Sequence, residues 1–198
     1  EKSIEAEYKL SLDQYQKILV LVDQPLWLQA DANLRYYITN KVNLALVSKI
    51  EVPKASVIGY DKLVEYRSAN PAFLMKSDAD IGKALGADYV LVVDIQSFDL
   101  QQLTIMDYYK GNLIAMSKLV DVRTGQKIWP ESIDAKKIHV GIELEIKGRQ
   151  IVVDKLASAA AHCITRYLYD CKYRQFKIAE DYSYRTEGEW EDVNKWDN

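Results

Sequence analysis

Two uninterrupted apolar runs, Lys17-Ile-Leu-Val-Leu-Val-Asp23 and Asp88-Tyr-Val-Leu-Val-Val-Asp94, constrain this chain more than any other feature. A strand with one wet face alternates apolar and polar residues, whereas a strand covered on both faces reads as a continuous apolar stretch. Both runs are of the second kind. They favour strands of a parallel core with both faces covered, without fixing the order of strands in the sheet, and each ends in an aspartate.

The chain between the runs supplies the crossovers that a parallel pair needs. Asp31 to about Ile50 has helical spacing, with Leu34, Ile38, Val42 and Ala45 on one face and Asp31/Arg35 paired on the wet side. Pro53 closes that region. Ala55 to Tyr60 is expected as a second short strand, and Tyr66-Arg-Ser-Ala-Asn-Pro71 breaks the pattern after it. Asp78 to Gly86 is a short helix with acids in its first turn and a glycine at its end.

After Asp94 the pattern changes. Tyr108 to Val122 and Lys127 to Trp129 are extended and separated by a tight turn. From Ile138 to Ile146 the even positions are apolar and His139, Glu143 and Glu145 face the other way, as in an antiparallel strand with one wet face. Gln150 to about Tyr169 returns to helical spacing through Val152, Leu156, Ala159, Cys163 and Tyr167. The predicted class is therefore mixed α/β (α+β): a three-layer-like domain with a β-α-β-α-β core, then antiparallel strands and a C-terminal helix. Residues 1–180 form this single domain. Residues 181–198, with six acids, two bases, Trp190 and Trp196, form an acidic aromatic surface tail.

The net charge of -3 and the acidic isoelectric point near 5.5 exclude a basic nucleic-acid-binding face. No run approaches the ~20 apolar residues that span a bilayer. Fourteen tyrosines and four tryptophans put aromatic edges at the surface, either to finish sheet faces or to meet a partner. Cys163 and Cys171, if they share one helix, are about 12 Å apart along its axis. That exceeds the roughly 7 Å limit of a disulfide, so both are expected as buried thiols.

The stretch KLVDVRTGQKIW, Lys118 to Trp129, is a turn between strands: Asp121 accepts from backbone N–H groups ahead of it, and Gly125 takes a positive φ. Asp80-Ile-Gly-Lys-Ala-Leu-Gly-Ala-Asp-Tyr-Val-Leu91 runs from a helix into a strand. Together these two segments resemble bacterial envelope lipoproteins of the curli-secretion-lipoprotein type, small envelope lipoproteins of unknown function, and the N-terminal domain of the periplasmic TolB protein. The likeness spans roughly residues 17–169. It implies a periplasmic α/β domain tethered to the outer membrane by lipid, with a leader removed ahead of Glu1. It carries no catalytic residue, and the chain shows no pore-forming insertion of the secretion-channel kind.

Chemistry is sparse. Gly82-Lys83-Ala84 lacks the upstream glycine and the hydroxyl residue of a phosphate cradle. His139 and His162 have no zinc-like spacing to the cysteines. Asp23 and Asp94 are the exception: on parallel neighbours, both would emerge at the carboxyl edge, where two acids could hold a magnesium ion for phosphoryl chemistry. The sequence thus supports two functions. The first is a non-enzymatic envelope module, without cofactor, that binds a protein partner or itself through aromatics such as Trp27, Trp129, Trp190 and Trp196. The second is a metal-dependent phosphate-processing enzyme using Asp23 and Asp94.

Overall fold

A computed structural model describes residues 2–28, 33–103, 107–145 and 148–178. Asp31, Ile146, Trp190, Trp196 and the whole 181–198 segment lie outside the described residues. Strand β1 (Ser3–Ile4) is followed by β2 (Ile18–Asp23), helix α1 (Leu34–Ser48), helix α2 (Tyr60–Ala69) and helix α3 (Asp78–Ala84). Strands β3 (Tyr89–Gln102), β4 (Tyr108–Asp121), β5 (Gln126–Trp129) and β6 (Lys136–Glu145) come next. Helix α4 (Arg149–Thr165), strand β7 (Cys171–Lys172) and helix α5 (Tyr173–Ile178) complete the chain.

β2 and β3 are parallel, as the two apolar runs predict, and they are direct neighbours, paired from Ile18–Tyr89 to Asp23–Asp94, an order that the sequence leaves open. β4 lies antiparallel to β3, and both β5 and β6 pair antiparallel with β4. The alternation along β2 and β3 divides their side chains between two cores. Ile18, Val20, Val22, Leu91, Val93 and Ile95 join the larger core, with Leu34, Ile38, Val42 and Leu46 of α1 and Val152, Leu156 and Ile164 of α4. Leu19, Leu21, Val90 and Val92 face the smaller core, with Leu63 of α2, Phe73, and Ile81 of α3. The three-layer α/β class is therefore correct. Each fully buried Leu or Ile side chain contributes about 1.5–3 kcal/mol of burial free energy, which is why the apolar runs dominate the architecture.

Several local expectations change. The strand expected at 55–60 is one bridge residue, Val57 beside Ile18, set between a 3₁₀ turn at Lys54–Ser56 and the start of α2. The segment expected to break the pattern is instead the second half of α2. Only Leu63 of that helix is buried, so its sequence carries no apolar stripe to read. On α1 the inward row is Leu34, Ile38, Val42 and Leu46, with Ala45 only half-buried. β3 runs on past Asp94, because Ile95, Phe98 and Leu100 continue into the larger core after a bulge between Ile95 and Ser97.

The turn in KLVDVRTGQKIW forms as predicted. The Asp121 carboxylate accepts from the Thr124 N–H at 2.9 Å, and Gly125 has φ +70°. Cys163 and Cys171 are both buried and free, although the geometric reason differs from the expected one. The helix ends at Thr165, so the two cysteines stand on different elements.

Candidate functional site

The carboxyl edge of the parallel pair brings together the two acids that the sequence singles out. Asp23 and Asp94 are directly paired in register, on strands that run ~4.8 Å apart. Each lies two residues beyond a residue of the smaller core, Leu21 and Val92, so both emerge on the α2/α3 side. Their surroundings differ. Asp23 is exposed and lies 3.9 Å from the Arg35 guanidinium. Asp94 is half-buried, and burial, with Asp78 and Asp23 nearby, holds its carboxyl above the usual range against the pull of Lys118. Asp78 is itself paired with Lys118 at 2.8 Å.

The acids are thus interleaved with cations. A magnesium ion takes about six oxygen ligands in near-octahedral geometry. Among the described residues no three His, Cys, Asp or Glu side chains converge where they could hold a metal. Asp23 and Asp94 form a neighbouring pair, but one half of that pair faces a guanidinium.

The same edge is a place where the chain changes direction. β2 lies between Val57 and β3. From β2 the chain passes to α1 in the larger core, and from Val57 it passes through Gly59 to α2 in the smaller core. Adjacent parallel segments therefore send their continuations to opposite faces of the sheet, the arrangement in which α/β folds place their sites. The two helix starts meet there. Asn33 caps α1 by accepting from the Tyr36 N–H at 3.2 Å, and the Tyr36 ring meets the Tyr60 ring of α2 edge-on, with centroids 5.6 Å apart.

Two arginines hold the turns that follow: Arg35, which the sequence pairs with Asp31 on the wet side of its helix, and Arg67, to which it gives no role. Arg35 of α1 donates to the Gln24 carbonyl at 2.9 Å, fixing the base of the 3₁₀ turn Leu26–Leu28. Arg67 of α2 lies over the Phe73 ring at 4.7 Å, fixing the base of the 3₁₀ turn Phe73–Met75. Burial, and after it the Arg35 charge, lowers the Arg67 pKa. Both turns present large apolar side chains to solvent: Leu26 is 73% and Trp27 69% exposed, Leu74 75% and Met75 89%. No periodicity marks these turns. The available signal was a Leu-Trp-Leu and a Phe-Leu-Met triplet, each placed directly after a Pro-containing break.

Of the four predicted contact tryptophans, Trp27 is at the surface, and Trp190 and Trp196 are outside the described residues. Trp129 is not a contact residue: it is 1% exposed, packed in the larger core, with its indole N–H on Glu7. His139 is exposed, while His162 is buried with Nε2 at 2.8 Å from the Gln175 carbonyl oxygen.

No family model matches the chain, and no curated protein matches it. Among solved structures it is similar to a PelC dodecamer from Paraburkholderia phytofirmans, at 13% identity and a TM-score of 0.47, over 85% of this chain and 97% of that one. It is similar to lipoprotein GNA1162 from Neisseria meningitidis, at 18% identity and a TM-score of 0.41, over 63% and 78% of the two chains. It is also similar to TolB from Acinetobacter baumannii, at 15% identity and a TM-score of 0.36, over 84% of this chain and 30% of that one. These are the kinds of protein that the segments around Asp80–Leu91 and Lys118–Trp129 resemble. All of these TM-scores lie below 0.5, and no role is transferred from them.

Proposed function

We propose that this chain is a non-enzymatic module of the bacterial envelope, a lipid-tethered periplasmic domain of residues 1–180 that contacts another protein. The observation that carries the proposal is the pair of apolar turns at the carboxyl edge, each anchored by an arginine. An exposed Trp, Leu or Met side chain is common, but two such side chains on each of two short turns, each turn held by an arginine, have the composition of a contact surface. Interface hot spots are enriched in Trp, Tyr and Arg, and Trp27 on the first turn, the Tyr36–Tyr60 contact and the arginines that hold the turns supply these types. Catalysis at Asp23 and Asp94 is the weaker reading, since Arg35 already faces Asp23 and, among the described residues, no third metal-ligating side chain joins the pair.

Photo-crosslinking tests this. A benzophenone side chain placed at Trp27 or Leu74, in cells that make the lipidated protein, gives a discrete protein adduct, and one placed at the exposed Tyr15 does not. Equal adduct yields at all three positions, or none at Trp27 and Leu74, would refute the surface.

A further inference from the structure

We propose that residues 4–12 form a releasable strap, and that its seat binds an extended peptide of a partner protein in which an acidic residue stands between apolar ones. The seat shares no residue with the turns at the carboxyl edge. The strap fills it in cis and so shows what it recognises. From Ile4 to Leu12 the chain alternates: Ile4, Ala6, Tyr8, Leu10 and Leu12 turn inward, while Glu5, Glu7, Lys9 and Ser11 are exposed. The backbone of the inward residues meets the chain that follows α4. The Tyr8 N–H donates to the Tyr167 carbonyl at 3.2 Å and the Leu10 N–H to the Leu168 carbonyl at 3.0 Å. The Ala6 N–H donates to Asp170 Oδ1 at 3.1 Å. Main-chain bonds with alternate side chains turned inward are how a groove holds an extended peptide.

One side chain defines the chemistry of the seat. Glu7 accepts from the Trp129 indole N–H at 3.0 Å and pairs with Lys136, whose ammonium lies 4.2 Å from the centre of the Tyr167 ring. An indole N–H and an ammonium converging on one point make a socket for a carboxylate, which a neutral amide fills less well. The Glu7 side chain is 40% exposed, so withdrawing it opens the N–H edge of an otherwise buried indole. The strap is also lightly held. Only Leu10 of residues 4–12 is buried, and the Lys9–Asp170 pair is solvent-exposed and contributes little. A segment with so few buried contacts opens at lower cost than the sheet. Its far end is fixed separately, by Asp13 Oδ1 accepting from the Tyr15 and Gln16 N–H groups at 2.7 and 2.9 Å.

Hydrogen exchange on the whole chain tests the release. The Tyr8 and Leu10 amides exchange about tenfold or more faster than those of Leu91 and Val93 in β3. Equal protection would overturn the strap. Glu7→Ala then loosens it, and a peptide of residues 2–12 added to this variant restores the native Trp129 indole resonance. The same peptide with glutamine in place of Glu7 binds about tenfold or more weakly. Equal binding of the two peptides, or binding of neither, would overturn the seat. Lys136→Met narrows the difference between them, and an undiminished difference would overturn the socket. A concentration-dependent dimer of the unmodified chain that Glu7→Ala abolishes would assign the seat to the strap of a second copy and overturn the partner peptide.

Discussion

The indole N–H of Trp129 donates to Glu7 Oε2 at 3.0 Å, joining residues 122 positions apart. Trp129 ends β5 at the bottom of the larger core, and Glu7 belongs to the segment that climbs alongside the end of α4. That segment is held by Tyr8 N–H to the Tyr167 carbonyl at 3.2 Å, Leu10 N–H to the Leu168 carbonyl at 3.0 Å, and the Lys9–Asp170 ion pair. Glu7 also pairs with Lys136 of β6. One carboxylate therefore fastens the N-terminal strap to two strands of the sheet.

Removing that carboxylate leaves a buried indole N–H without an acceptor. Glu7→Ala is expected to cost about 1–3 kcal/mol. At roughly 2–4 °C per kcal/mol for a chain of this size, the unfolding midpoint falls by several degrees. Glu7→Gln keeps an acceptor and should lose less. Calorimetry on the two variants separates the hydrogen bond from the Lys136 pairing, and equal losses would mean that the charge alone matters.

His162 makes stability depend on pH. Burial, reinforced by Arg166 and Lys49, pushes its pKa down to about 4, with the Gln175 carbonyl opposing. The unfolded chain binds the proton near pH 6.5, so between about 4 and 6.5 the unfolded state holds more protons than the native state. The contribution is complete above about pH 6.5 and is lost as the pH falls toward 4, by about 3 kcal/mol at most. Denaturant titrations across that range should show the slope. His162→Gln, which retains a donor for Gln175, should flatten it.

Gly82 is expected to resist the usual helix-stabilising exchange. A methyl group there would stand 2.5 Å from Val90 Cγ2 and 2.7 Å from Val122 Cγ2, because α3 lies tight against the sheet. Gly→Ala gains about 1 kcal/mol of helix propensity, but overpacking against branched side chains costs about 1–3 kcal/mol. A net loss of stability in Gly82→Ala, read by urea unfolding, checks the close approach. A gain would show that the helix can lift.

Addition of magnesium or manganese is expected to leave the unfolding midpoint unchanged, since Arg35 faces Asp23 and, among the described residues, no three ligating side chains converge at the carboxyl edge. A ligand present at a hundred times its dissociation constant adds about 2.7 kcal/mol, a shift that thermal unfolding resolves easily. A shift abolished in the Asp23→Ala, Asp94→Ala double variant would restore the phosphate-processing reading.

The sequence by itself determined whatever depends on neighbours in the chain or on repeating spacing. The two apolar runs set two strands covered on both faces, Asp121 and Gly125 set the turn, and the Leu34–Ile38–Val42 row set α1. Each is specified within a few residues, by burial pattern or by one side chain bonding the adjacent backbone. Helix α2 left almost no trace, because a helix resting on the sheet by Leu63 alone needs no apolar stripe. Only the tertiary structure decided that Trp129 is core, with Glu7 brought from the other end of the chain to its indole. Only it decided that β2 and β3 are direct neighbours and that Tyr36 of α1 meets Tyr60 of α2. Those meetings depend on consecutive connections packing on opposite faces of the sheet, a choice not written in either segment alone.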